Sequence, residues 1–242
     1  MTVPTLRFVR MQYQPCDLEA WKDGDYSILR CLHASKPLQS ILCAKARTRR
    51  EGRLGRGRSG GDRRFFGEAF VAGELSKQCD AAWYGSFKWL TSPTWLAETP
   101  ASDNYATQFG EALRHHFGRH LEKLQTRAEK LCGLPNCAKP MPPDLWLIAD
   151  GRHRFIEVKL PGDTIRGAQL AGLALIATSL PATTVEIVTL NGGCRTTRKW
   201  LDREEAALRR ADEEFSGFCR KLKASSSVPD GEPRPRQIKT RP

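Results

Sequence analysis

No stretch of this 242-residue chain approaches the roughly twenty consecutive apolar residues that a membrane-crossing helix needs. Its first residues, MTVPTLRFVRMQYQP, lack the apolar run of a secretory signal, so the sequence reads as a soluble, intracellular protein: cytoplasmic or nucleoid-associated, or nuclear in a eukaryote. Cysteine is present but unpatterned. The eight residues, Cys16, Cys31, Cys43, Cys79, Cys132, Cys137, Cys194 and Cys219, follow no framework spacing in a chain too large to need staples, and they read as reduced thiols. The Cys132–Cys137 spacing is near that of a zinc pair, but a second pair is missing nearby, which favours a plain turn over Gly133–Pro135. A phosphate-cradling GxxxxGK[ST] loop is also missing, so no nucleotide cofactor is implied. Acidic residues are the minority. With 27 against 39 basic ones, the net charge is +12 and the pI about 9.6, which points to a polyanionic partner, nucleic acid first.

That charge is concentrated. Residues 45–64 hold nine basic residues and two acidic ones, a net +7 over twenty positions, interleaved with five glycines. Such a stretch buries no core and is expected to be a loop whose Arg47, Arg49, Arg50, Arg53, Arg56 and Arg58 contact phosphates without reading sequence. Upstream, Leu6–Tyr13 has strand-like content, and 17–32 fits a short helix or a strand pair. Downstream, Trp83, Phe87 and Leu90 fall at helical spacing and are expected to face a core rather than stack on bases. A long helix is predicted from Ser102-Asp103 to about Leu124, its apolar face built from Tyr105, Phe109, Leu113, Phe117, Leu121 and Leu124. His115 and His116 on it read as packing or surface residues. Three further elements close the chain: a helix over about 166–179, a strand over 184–190, and a charged helix over 197–223. A proline- and serine-rich tail, 224–242, is expected to be disordered.

The chemistry gathers on residues 143–169, PDLWLIADGRHRFIEVKLPGDTIRGAQ. Two apolar runs flank Asp150-Gly151, a two-residue hairpin signal. With those two at the centre of the turn, cross-strand partners carry numbers summing to 301. Ala149 then faces Arg152, Asp144 faces Glu157 at a Cβ separation of about 5 Å, and Lys159 shares the face of Glu157. Two opposed carboxylates among apolar neighbours require positive charge. Lys159 can supply part of it, and an all-oxygen pocket also suits Mg²⁺ or Mn²⁺.

Pro143-Asp144, twelve residues, then Glu157-Val158-Lys159 resembles the PD-(D/E)XK motif of restriction-endonuclease-like nucleases. The continuation Glu157-Val158-Lys159-Leu160-Pro161-Gly162-Asp163 with Gln169 resembles the EVKGPGD…Q pattern of the VRR-NUC family within that superfamily. Leu160 stands where that pattern has glycine, and Thr164 where some members carry arginine. The resemblance implies an α/β protein: a restriction-endonuclease-like core over 101–195, its mixed central sheet flanked by helices, preceded by an N-terminal accessory region over 1–100. It implies Asp144, Glu157 and the Val158 carbonyl as ligands for Mg²⁺ or Mn²⁺. Glu111 on the preceding helix is the expected extra acid, with Glu122 as its competitor. Lys159 and Gln169 are implied as their catalytic neighbours. The expected activity is metal-dependent hydrolysis of phosphodiester bonds in DNA, with flap, fork and junction substrates as candidates and RNA left open. The alternative is a non-catalytic nucleic-acid-binding or adaptor module on the same fold.

Overall fold

In a computed structural model of the chain, residues 4–31, 36–54, 64–92, 94–95, 104–132, 139–193 and 198–226 are described. Strand β1 (Leu6–Gln12) leads through α1 (Pro15–Asp23) to the basic helix α2 (Lys36–Leu54), then α3 (Phe66–Leu75) and β2 (Ala81–Tyr84). Helices α4 (Asn104–Phe117) and α5 (Arg119–Cys132) precede the hairpin β3 (Leu145–Ala149) and β4 (Arg152–Lys159), followed by α6 (Gly167–Ser179), β5 (Thr183–Asn191) and α7 (Arg198–Ser226). The strands form one five-stranded mixed sheet in the order β1-β5-β4-β3-β2. Strand β5 runs parallel to both β1 and β4, while β3 is antiparallel to β4 and β2. The sheet therefore crosses the boundary expected at residue 100, because both of its edge strands come from the N-terminal region.

The hairpin follows its turn chemistry. Asp150 and Gly151 both have positive φ, 49° and 67°, the backbone that a two-residue turn between right-twisted strands demands. Ala149 pairs with Arg152 and Leu145 with Ile156, the register read from the sequence. The interior strands β3 and β4 are buried on both faces for most of their length, so helices cover each side. On one side α3 lies so close that a Cβ on Gly67 would stand 3.0 Å from Val158 Cγ1. On the other, Phe109 of α4 meets the rings of Trp83, Phe87, Trp89, Trp95 and Trp146 in an aromatic core.

Three local expectations are corrected. Trp83, Phe87 and Leu90 do not share a helix: Trp83 lies in β2, and Leu90 closes a short 3₁₀ turn over Lys88–Leu90. Pairing of β2 with β3, which puts Trp83 opposite Trp146, outweighs the helical spacing, though the residues still serve the core. The long helix is broken at Gly118, whose φ of 45° is left-handed and whose N–H closes on the Arg114 carbonyl. The basic segment is also not a loop from Lys45. Leu38, Leu42 and Ala46 form a buried stripe at four-residue steps, and arginine is a good helix former, so α2 continues to Leu54. Residues 55–63, with Arg56 and Arg58, and the tail beyond 226 lie outside the described residues, as do Ser102-Asp103 and residues 133–138. Among the described residues no helix is long and apolar enough to cross a membrane.

Two consequences of this packing are measurable. A Cβ on Gly172 of α6 would stand 1.8 Å from the Met141 carbonyl oxygen, so Gly172→Ala must push α6 away from the segment leading to Asp144. We expect it to cost about 2–3 kcal/mol in a denaturant midpoint series; an unchanged midpoint would contradict this contact. His153 is buried, accepts the Trp146 indole N–H at Nδ1 (3.3 Å) and meets the His116 ring edge to face. Burial, then the neighbouring His116, holds its pKa below the ordinary value. A lowered folded pKa favours the neutral ring, so its stabilisation is present above about pH 6.5 and is lost as pH falls through the folded value. Wild type is expected to lose about 1 kcal/mol more than His153→Gln between neutral pH and pH 5, read from urea midpoints at each pH.

Candidate active site

The site lies where the C-terminal end of β4 meets α3 and α6. Period-two alternation puts Glu157 and Lys159 on one face of β4, and the Lys159 Nζ donates to Glu157 Oε1 at 2.9 Å. Gln169, at the third position of α6, joins both. Its Oε1 accepts from Lys159 Nζ at 2.9 Å and from the Arg166 N–H at 3.0 Å, capping the helix, while its Nε2 donates to Glu157 Oε1. Asp144, just before β3, accepts the Val158 N–H at 2.9 Å on Oδ2. A Pro161-Gly162-Asp163 turn follows, with Gly162 at φ 86° and the Asp163 carboxylate accepting the Leu160 N–H at 3.0 Å. Asp144, Glu157, Lys159 and Gln169 are thus brought together, with Val158 between the acid and the lysine.

Glu157 and Lys159 are 2% and 8% exposed, which makes their charges costly unless paired. Burial first, then the Asp144 charge, raises the Glu157 pKa well above the ordinary carboxylate range. Asp144 is also raised, chiefly by burial, against the lowering effect of the Val158 N–H and Lys159. The contact between the two carboxyls adds to the rise at Glu157 and opposes it at Asp144.

A third carboxyl was not read from the sequence. Glu68, in the first turn of α3, is pushed up to about 8, first by burial and then by the Asp144 charge, with Asp163 adding to the rise and Lys159 opposing it. Helix α3 presents it because the helix is otherwise apolar up to Glu74 near its end: Phe66, Gly67, Ala69, Phe70, Val71, Ala72 and Gly73 are all buried, and Gly67 lets the first turn lie on Val158. The signal was available, since Glu68 carries a charge into FGEAFVAG, a stretch otherwise without polar side chains. Glu111 and Glu122, by contrast, stand on the exposed faces of α4 and α5, whose buried stripes face the aromatic core. The charges acting on Asp144, Glu157 and Glu68 come from one another, from Lys159 and from Asp163, and neither Glu111 nor Glu122 takes part. His116 packs at the turn end of β4 against His153, four residues or about 13 Å along the strand from Glu157. His115 stands beside it, exposed.

The basic helix passes close by. Lys45 Nζ lies 5.1 Å from the Tyr84 ring, 5.9 Å from Phe87 and 6.0 Å from Phe65. Glu68, Asp144 and Glu157 all act on the Tyr84 hydroxyl, whose ionisation burial already opposes. Arg47 is exposed, its guanidinium 5.9 Å from the Tyr26 ring, and Arg49, Arg50 and Arg53 fall on α2.

Among the described residues no three Asp, Glu, His or Cys side chains stand as a ready metal cage. The donor chemistry nevertheless fits a hard divalent ion. Three carboxyls whose ionisation is held back by burial and by one another form a centre where a cation can replace protons. Fold and site together define a mixed α/β protein whose five-stranded sheet carries a buried acid–lysine–glutamine centre, flanked by a basic helix. No family model, no curated protein and no solved structure matches this chain.

Proposed function

We propose that the protein is a divalent-metal-dependent phosphodiesterase acting on nucleic acid, with a restriction-endonuclease-like core and the VRR-NUC resemblance carried by Glu157-Val158-Lys159 through Gln169. The observation that carries the reading is the buried Lys159 ammonium held between Glu157 and Gln169 at 2.9 Å from each, beside the raised carboxyls of Asp144 and Glu68. A structural ion pair needs one acid. Crowding three acids whose charges oppose each other lowers stability and gains nothing unless a cation or a reacting group uses them.

Asp144, Glu157 and Glu68, with the Val158 carbonyl, would hold Mg²⁺ or Mn²⁺. Such an ion supplies positive charge against the phosphate and makes a bound water more acidic. Lys159 is positioned by Glu157 and Gln169 to donate a hydrogen bond to the attacking water or to a phosphate oxygen, and its charge stabilises negative charge developing there. Gln169 fixes that ammonium without adding charge. The Lys45 and α2 arginine side supplies cations that attract the phosphate backbone without reading sequence. DNA is the proposed substrate, and branched forms head the candidates.

The test is cleavage of labelled flap, fork, four-way junction, duplex and single-stranded DNA, with RNA in parallel, in Mg²⁺, Mn²⁺ or EDTA. Cutting that needs the metal and is lost in Glu157→Ala and Lys159→Ala supports the reading and ranks the substrates. Binding without cutting under any metal would leave a nucleic-acid-binding module instead.

A further inference from the structure

We propose that the cleft beside Lys159 receives one unpaired nucleobase next to the scissile phosphate, so that the preferred substrates carry a single-stranded segment at the cut. This rests on the phosphodiesterase reading above, which is what brings a phosphate to Lys159. The cleft has a volume of about 490 Å³ and is bounded by the turn after β4, the end of β5, α6 and the face of α7. Lys159 belongs to its lining as well as to the acid centre, so the two spaces share a wall.

Its chemistry suits a base better than a backbone. Leu160 and Ile165 of the turn, Leu170, Leu190, Leu208 and Ala211 give apolar walls. Of the acids in the lining, Asp163 holds the Leu160 N–H and Glu204 pairs with Arg10 at 3.4 Å, while Glu214 is exposed on α7 beside Gly167. Arg203 and Arg210, both exposed, make no ion pair among the described residues. Seven residues apart on α7, they stand two turns or about 10 Å from one another along the helix, placed to meet phosphates on either side of an inserted base. A cleft of this size suits a ligand of nucleotide dimensions, whereas a duplex is far too wide to enter. A base already unpaired enters at the least cost, because no stacking or pairing has to be broken.

The experiment measures binding of fluorescein-labelled DNA to the full-length protein in EDTA, where no metal-dependent cleavage occurs. The probes are a blunt duplex and the same duplex with a short 3′ or 5′ tail, each tail made once with bases and once with abasic sites, so that phosphate number is constant. At least one base-bearing tail is expected to bind about tenfold tighter than its abasic counterpart. Ala207→Trp, which fills the cleft from α7, should erase that difference and leave blunt-duplex binding within about twofold. Equal affinity for base-bearing and abasic tails overturns the proposal, as does a full preference retained in Ala207→Trp. If the variant does not fold, by its circular dichroism melt, the wild-type abasic comparison decides alone. Metal-dependent cleavage without a base preference removes the cleft assignment and leaves the hydrolase reading. A base preference that Ala207→Trp erases, in a protein that cuts nothing under any metal, does the reverse.

Discussion

On the proposed hydrolase reading, Glu157→Gln is expected to lower metal-dependent cleavage by about 10³- to 10⁴-fold and to leave binding of uncut nucleic acid in EDTA nearly unchanged. The glutamine keeps the shape and one oxygen that can accept from Lys159, so the fold has no steric reason to fail. It loses the carboxylate that pairs with Lys159 at 2.9 Å and that, in the proposed role, would help to hold a cation. Glu157 is 2% exposed, which means that no water dipole compensates for the change. Single-turnover rates at saturating protein separate this effect from weak binding. A Glu157→Gln rate within tenfold of wild type would exclude Glu157 from the chemistry, whereas Glu111→Gln, altered on an exposed helix face, should stay within about twofold.

Glu68→Gln should cut activity by about 10²- to 10³-fold and also make the metal-free protein more stable at alkaline pH. The sign follows from the carboxyl pushed up to about 8. Above the ordinary value near 4.5, the unfolded chain has released this proton while the folded protein still holds it. Stability therefore falls as pH rises from there through about 8 and is level beyond. Glutamine has no such slope. With a discount for partial exposure, the variant gains about 1–2 kcal/mol relative to wild type between pH 5 and 9, or several degrees in Tm for a chain of this size. Parallel melts at the two pH values, in EDTA, test this. Equal pH dependence in both proteins would show that Glu68 is not held protonated. Titration of Mn²⁺ into wild type in two buffers of different ionisation heat should also detect proton release that shrinks in the variant.

The hairpin and its charges were legible because each rests on a local rule. Asp150-Gly151 sets a two-residue turn, the turn sets the register, and the register sets Asp144 against Glu157 with Lys159 on the same face. Gln169 was legible by resemblance, and its bonds to both Glu157 and Lys159 give it a physical role. Glu111 was carried over by resemblance on the one long helix expected before the hairpin, but Gly118 divides that helix and Glu111 stands on the exposed face of α4. Glu68 reaches the end of β4 from about ninety residues upstream of Glu157, because α3 folds over Val158. The arginine segment misled in another way: composition registers glycine and charge, while α2 persists to Leu54 on the strength of Leu38, Leu42 and Ala46.

By itself the sequence determined the strands β1, β3, β4 and β5, the closing helices α6 and α7, the hairpin register, and the convergence of two acids and a lysine. Periodicity and turn chemistry act over a few residues, and those are the distances over which such features are set. Tertiary structure alone decided that β1 and β2 complete the same sheet, that Gly118 divides the long helix, and that Glu68 is the third acid. It also placed the cleft between the β4 turn and α7. These depend on which apolar faces find one another across the chain, and long-range burial leaves no period in the sequence to read.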